Sequence, residues 1–352
     1  MSVRARQSII ELAAYQPGKS APIKLASNEN PHPPLPSVID AITEAAQGIN
    51  RYPDTGVTEL TAVLAEKVGV AAEQVAFGCG SVTLLEQIMH AFCDPADEIV
   101  AGWRSFEAYP LVAQVVGARL IPVPLREETH DLDAMLAAIG ERTRVVIVCN
   151  PNNPTGTAVR RDELVRFIDA VPADVLIVLD EAYGEYITDD DVPDGVELMR
   201  GRQNVCVLRT FSKAYGLAGL RVGYLVSEDP TVAAVVRKTM MPFAVSSIAQ
   251  IAALASLAAA DELKVRVDEA SRERERVGSA LRAAGYAVPH SHANFVWISA
   301  REQTEQIADQ LMAAGIMGRP FAGEGIRITI GTAAENDALL AALGATGNRP
   351  TG

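Results

Sequence analysis

Val145-Val146-Ile147-Val148-Cys149-Asn150-Pro151-Asn152-Asn153-Pro154-Thr155-Gly156 is where the chain first commits to a fold. Its first five residues are all apolar, so 145–149 is predicted to be a strand buried on both faces, as in a parallel sheet. Asn, Pro and Gly end it at once, and by themselves they signify only a tight turn. Short apolar runs of the same kind lie at 98–101, 175–179 and 205–208. Stretches at 37–47, 58–67, 82–92, 131–139 and 161–170 read as helices between and around them. This alternation predicts an α/β, doubly wound, mainly parallel sheet.

Upstream, the first thirty-odd residues read as an arm, broken at Pro17-Gly18 and stiffened by Pro31, Pro33, Pro34 and Pro36. Downstream, the pattern changes near Pro242. Helical stretches 248–260 and 261–284 lead to a strand at 293–298, a helix at 304–314, a strand at 326–330 and a final helix. The expected division is an arm at 1–35, a large domain at 36–245 and a smaller C-terminal α/β domain at 246–352.

The 352 residues are 49% hydrophobic, enough to build sizeable cores and to exclude wholesale disorder. Lys and Arg number 31 against 44 Asp and Glu, a net charge of −13. Without a basic stripe, that balance argues against nucleic acid and anionic membranes as partners. The most continuous apolar stretch, 248–260, is interrupted by Gln250 and Ser256 and falls short of the about 20 residues a membrane span needs. Residues 1–7 hold two arginines with no apolar run behind them, unlike a signal peptide, so a cytoplasmic protein is expected. Cys79, Cys93, Cys149 and Cys206 have no metal-binding spacing and read as small buried hydrophobes. The segment ending Gly18-Lys19-Ser20 lacks the leading glycine of a P-loop, because Ala13 stands there. Gly78-Cys79-Gly80-Ser81-Val82-Thr83 lacks the third glycine of a dinucleotide fingerprint. A glycine-rich turn entering a helix still suits a phosphate, through exposed backbone N–H groups.

Four segments sit at or just beyond predicted strand ends, where open α/β sheets bind ligands: 150–156, Asp180-Glu181-Ala182-Tyr183, Thr210-Phe211-Ser212-Lys213 and Gly219-Leu220-Arg221. Singly, each reads as a turn, a helix cap or a surface charge. Together they meet the needs of pyridoxal 5′-phosphate. Its aldehyde needs a Lys, and its pyridine nitrogen a buried carboxylate. Its phenolate oxygen needs neutral donors such as Asn and Tyr. Its phosphate needs hydroxyls, an Arg and a helix N-terminus.

Over nearly its whole length the chain resembles the fold type I pyridoxal-phosphate aminotransferases, in the histidinol-phosphate and aromatic aminotransferase branch. The most specific matches are Lys24-Leu25-Ala26-Ser27-Asn28-Glu29-Asn30-Pro31, Asn50-Arg51-Tyr52-Pro53, the 151–156 turn, 180–183 and the run 209–221. The resemblance implies that Lys213 carries the cofactor and later moves the proton. It implies that Asp180 pairs with the pyridinium nitrogen, and that Tyr183 and Asn153 bond the phenolate oxygen. Phe106 would stack on the ring where the family often has Tyr. Ser81, Val82, Thr210, Ser212 and Arg221 would hold the phosphate, although the family often has an acidic residue in place of Val82. Tyr52 would reach the neighbouring subunit's cofactor phosphate, making a homodimer with shared sites. Arg327 would grip the substrate carboxylate, with Asn153 beside it, and Tyr15 and Asn28 would cover the substrate.

The implied activity is ping-pong transfer of an amino group from an aromatic L-amino acid (phenylalanine, tyrosine or tryptophan) to 2-oxoglutarate. The alternative donor is histidinol phosphate. The segments 75–82, 102–110 and 242–247 look more like the aromatic branch, in which Phe243 and Val245 suit either an apolar pocket or packing at the domain junction. Arg319 could face a phosphate or solvent. Rival readings are a decarboxylase or lyase on the same fold, a cofactor-binding regulator, for which the arm is too short to hold a winged domain, and an enzyme without this cofactor.

Overall fold

The computed structural model describes residues 3–12 and 20–345. Its strands, in chain order, are β1 (Ile23–Lys24), β2 (Val75–Gly78), β3 (Glu98–Trp103), β4 (Arg119–Pro124), β5 (Thr143–Cys149), β6 (Leu176–Asp180), β7 (Val205–Thr210), β8 (Gly223–Ser227), β9 (Phe295–Ile298), β10 (Ile316–Met317), β11 (Arg319–Phe321) and β12 (Gly325–Thr329). Seven of them form the large sheet in the order β2-β8-β7-β6-β5-β3-β4. The pairings from β7 to β4 are parallel, and β8 runs antiparallel to both its neighbours.

The central strands carry apolar side chains on both faces because helices cover both. Alternate residues of β5 and β6 enter opposite cores. Val146, Val148, Ile177 and Leu179 pack with Leu164, Phe167 and Ile168 of helix Arg161–Ala170. Val145, Ile147, Leu176 and Val178 pack with Leu84, Ile88 and Met89 of helix Ser81–Phe92 and with Tyr109 and Val112 of helix Ala108–Val116.

A three-stranded antiparallel sheet, β11-β12-β9, forms the smaller unit. Its core joins Val296, Ile298, Ile326 and Ile328 to Val277, Leu281, Leu311 and Leu339. The arm is tied into this unit. β1 pairs with β10, and Leu25 is buried in the same core.

One domain expectation needs correction. Helix Ser247–Ala258, assigned from sequence to the small domain, sends Ala249, Ala252, Ala253 and Leu257 into the large core with Val38, Leu60 and Leu64. Its alanine-rich face lets neighbouring helices approach closely. Helix Ala260–Ala283 then spans the two units, with Leu263 and Val267 in the large core and Val277 and Leu281 in the small one. Among the described residues no helix is long and apolar enough to cross a membrane.

Candidate active site

Register gathers the site. Cys149 pairs with Asp180 and Asp180 with Leu208, while Gly223 pairs with both Gly78 and Thr210. The C-terminal ends of β2, β5, β6 and β7 and the start of the reversed strand β8 therefore share one sheet edge. Arg221, just before β8, reaches that edge because β8 is antiparallel.

Asp180 ends β6 and is buried. Its Oδ2 accepts a 2.7 Å hydrogen bond from the Tyr109 hydroxyl. Its Oδ1 is buried with no hydrogen-bond partner among the described residues. Burial pushes the carboxyl up to about 6, against the Tyr109 hydrogen bond. A buried acceptor without a donor is costly, so this oxygen can take a hydrogen bond that a ligand brings.

Lys213 stands beyond β7, half-buried, with Nζ donating to the Ser27 carbonyl at 3.2 Å and lying 5.8 Å from the centre of the Tyr183 ring. Burial, helped by the charge of Arg327, pulls its pKa down to about 7. Tyr183 is buried edge-on against Phe295, and its hydroxyl accepts from Asn28 Nδ2 at 2.8 Å. Asn28 is fixed in turn, its amide donating to Thr329 Oγ1 at 2.9 Å. Burial raises the Tyr183 phenol, which stays a neutral donor.

Arg327, buried on β12, donates to Asn153 Oδ1 at 2.5 Å and to the Ala26 carbonyl at 2.6 Å. The rings of Phe295 and Phe321 flank its guanidinium at 5.6 and 6.0 Å. One guanidinium thus joins the arm, the 150–156 turn and the small sheet.

At the far end, Arg221 donates to Ser212 Oγ at 3.3 Å and to the Ala218 carbonyl at 2.9 Å, while Thr210 Oγ1 accepts the Ser212 amide at 3.1 Å. Helix Ser81–Phe92 begins beside them. Gly80 is left-handed (φ 84°), and a Cβ on it would lie 2.6 Å from Arg221 Nη2. A Cβ on Gly223 would lie 2.6 Å from the Ser81 amide nitrogen. Both glycines keep space open at a helix N-terminus beside an arginine, a cradle for a phosphate. Val82 is apolar and packs, partly buried, against the core that includes β5 and β6, so any anion contact from it comes from the backbone.

The structure thus brings Lys213, Asp180, Tyr183, Asn153, Arg327, Asn28, Thr210, Ser212, Arg221 and Ser81 to one sheet edge. Phe106, half-buried, meets Tyr109 edge-on at 5.7 Å. Tyr52 stands apart, 82% exposed and stacked on Phe243 at 4.4 Å. Phe243 is therefore at the surface, while Val245 is buried in the large core. Tyr15 lies outside the described residues. Arg319 meets both oxygens of Glu107 at 3.0 Å. The sequence reading missed Tyr109 and the pair Arg104–Glu324, which links the segment after β3 to the β11–β12 turn. The spacing of Phe106 and Tyr109 at a strand end, three residues apart at the start of a helix, was the available signal.

A half-buried lysine with a lowered pKa, a buried carboxylate with one oxygen unbonded and a helix N-terminus beside an arginine meet at one site, and the residues present fit pyridoxal phosphate. The description "Aminotransferase class I and II" matches residues 20–343. A Streptomyces coelicolor protein named aromatic amino acid aminotransferase is 55% identical over 346 residues, 96% of each chain. A Thermobifida fusca protein of the same name is 56% identical over 341 residues, 95% of each. The solved histidinol-phosphate aminotransferase of Sinorhizobium meliloti, in complex with pyridoxal-5′-phosphate, superposes with a TM-score of 0.90 at 32% identity, covering 97% of both chains. The chain belongs to the class I and II aminotransferases, a pyridoxal-phosphate-dependent family.

Proposed function

We propose that the chain transfers the amino group of aromatic L-amino acids, phenylalanine foremost, to 2-oxoglutarate by a ping-pong mechanism in amino-acid biosynthesis. The observation that carries the donor class is the company of Arg327. Its flanks are the phenyl rings of Phe295 and Phe321, and the two nearby arginines that could take a distal phosphate already hold carboxylates, Arg319 on Glu107 and Arg104 on Glu324. The names of the relatives from Streptomyces and Thermobifida support the same donor.

When bound, pyridoxal phosphate supplies an aldehyde for the amine and a ring that takes up the electron pair left at the α-carbon. Lys213, pulled down to about 7, is partly neutral at neutral pH, and its Nζ would accept the α-proton and return it later in the half-reaction. Asp180 offers its unpartnered Oδ1 as a hydrogen-bond acceptor for the ring nitrogen. Tyr183 and Asn153 would donate to the phenolate oxygen. Arg327 takes the substrate carboxylate with a planar fork that Asn153 and Ala26 keep aimed. Phe106 would cover the ring and Asn28 would cover the substrate, the role also proposed for Tyr15. Ser81, the Val82 backbone, Thr210, Ser212 and Arg221 would hold the phosphate.

The test is a single-turnover absorbance experiment on the reconstituted protein with each donor. Phenylalanine is expected to discharge the lysine-bound cofactor at least about tenfold faster than histidinol phosphate, the discrimination of one or two kcal/mol that a mismatched pocket gives. Faster discharge by histidinol phosphate reverses the donor assignment.

The exposed Tyr52–Phe243 stack supports the homodimer, with Tyr52 completing the partner's phosphate site. Sedimentation equilibrium should give twice the chain mass at micromolar concentration. A monomer with full activity removes Tyr52 from the site. The division into an arm, a cofactor domain and a small domain, and a cytoplasmic location, belong to the same proposal.

A further inference from the structure

The segment after β3 turns directly into helix Ala108–Val116, whose second residue is Tyr109. That position points the ring under the sheet edge, where it is fully buried among Leu84, Ile147 and Val178. A phenol so placed needs a partner for its hydroxyl. The partner is Asp180 Oδ2, at 2.7 Å. The Cys149 thiol also approaches the phenol. Asp180 Oδ1 is left buried and unbonded. The two oxygens of one carboxylate are therefore unequal.

We infer that Tyr109 is the positioning residue that selects which oxygen of Asp180 faces the cofactor nitrogen and keeps the shared proton on that nitrogen. The inference rests on the cofactor reading of the site and adds a residue to which that reading gave no role. Donation from the phenol stabilises the carboxylate and makes it a weaker base. A weaker base opposite a pyridine nitrogen leaves the proton on the ring. Without the phenol the carboxylate keeps only the Ala182 backbone N–H as a donor, is more basic, and draws the proton towards itself. Burial holds the Tyr109 phenol far above its ordinary pKa, so it stays a donor over the working pH range. The same ring braces Phe106 edge-on at 5.7 Å, so one side chain supports both the face and the nitrogen of the cofactor.

Packing alone is the competing role, and Tyr109→Phe separates the two. It keeps the ring, the volume and the contact with Phe106, and removes only the hydroxyl. The experiment is nitrogen NMR of the holoenzyme reconstituted with cofactor isotopically labelled at the ring nitrogen, with kcat and KM for phenylalanine alongside. In the wild type the resonance is expected at the protonated position. In Tyr109→Phe it should move towards neutral pyridine, with kcat reduced roughly tenfold, the rate equivalent of one hydrogen bond to a charged group, and KM little changed. An unmoved resonance in a folded Tyr109→Phe holoenzyme overturns the inference and leaves Tyr109 a core residue. If that variant fails to fold, a fluorinated tyrosine at position 109, a stronger donor of nearly the same shape, decides. Its resonance should lie at or beyond the wild-type protonated position, and movement towards neutral pyridine overturns the inference. A wild-type protein that shows no bound-cofactor resonance fails at the cofactor reading itself, which sets that failure apart from the failure of Tyr109.

Discussion

Lys213→Ala should abolish transamination, with kcat for phenylalanine and 2-oxoglutarate lowered by at least about 10³-fold and the absorbance of lysine-bound cofactor absent. The size of the loss follows from two roles held by one atom. On the proposed function, Nζ would form the covalent attachment and then move a proton in a step where a positioned acid–base group contributes about 10²–10⁴-fold. No other amine replaces it among the described site residues. The cations beside it are the guanidinium groups of Arg221 and Arg327, which stay protonated. Arg221 is engaged with Ser212 and Ala218, and Arg327 with Asn153 and Ala26. The phosphate cradle is separate from Lys213, so the variant should still bind the cofactor non-covalently. Turnover near the wild-type rate in rapid-quench assays would remove Lys213 from the mechanism. Loss of both turnover and cofactor binding would make its role one of anchoring.

Much of the site was legible because its residues follow strands that announce themselves. β5, β6 and β7 are apolar on both faces, and Asn153, Asp180 and Lys213 come at or soon after their ends. β2, β4 and β8 were not read as strands. β4 is an edge strand carrying Pro122 and Pro124, with only Val123 fully buried, so neither period nor composition marks it. β8 runs against the parallel order, and its direction, which brings Arg221 to the site, appears only in the pairing with β2 and β7. Helix Ser247–Ala258 was assigned to the wrong unit because its alanine-rich face fits either core, and only contact with Leu60 and Leu64 decides. Tyr109 was missed for a related reason. A buried tyrosine in a helix reads as core, and its hydroxyl gains meaning only through a strand about seventy residues on, in Asp180. Long-range hydrogen bonds of this kind leave no local period to read.

Asp180→Asn should lower kcat by about 10²–10³-fold, the scale of removing one preorganised group opposite charge that develops in the reaction. The same substitution should make the cofactor-free protein more stable above pH 6. Burial raises the Asp180 carboxyl from 3.8 to about 6, so between those values the folded state holds more protons than the unfolded chain. Stability contributed by this group is then fully present below about pH 4 and lost as pH rises through about 6. At about 1.4 kcal/mol for each pH unit between 3.8 and about 6, the loss approaches 3 kcal/mol. Asn carries no charge and escapes that loss. It can still accept the Tyr109 hydroxyl, but it sets an NH2 where Oδ1 was, and a buried donor without an acceptor costs about 1–3 kcal/mol. The absolute gain is therefore smaller than the charge effect alone, and the pH dependence is the sharper readout. Denaturant midpoints of the two cofactor-free proteins should diverge between pH 4 and 6, in favour of the variant, and run parallel above. A difference that stays constant across that range would mean that Asp180 is not the group whose ionisation the fold resists. Cofactor binding should reverse the order, because a protonated ring nitrogen would supply the partner that Oδ1 lacks, and the carboxylate can accept from it with a full charge while Asn, its oxygen held by Tyr109, presents an NH2. On the proposed function, the residue that destabilises the cofactor-free fold would also be the one that makes the cofactor an electron sink, and the two effects would share one cause: a carboxylate buried with one oxygen bonded to Tyr109 and the other unbonded.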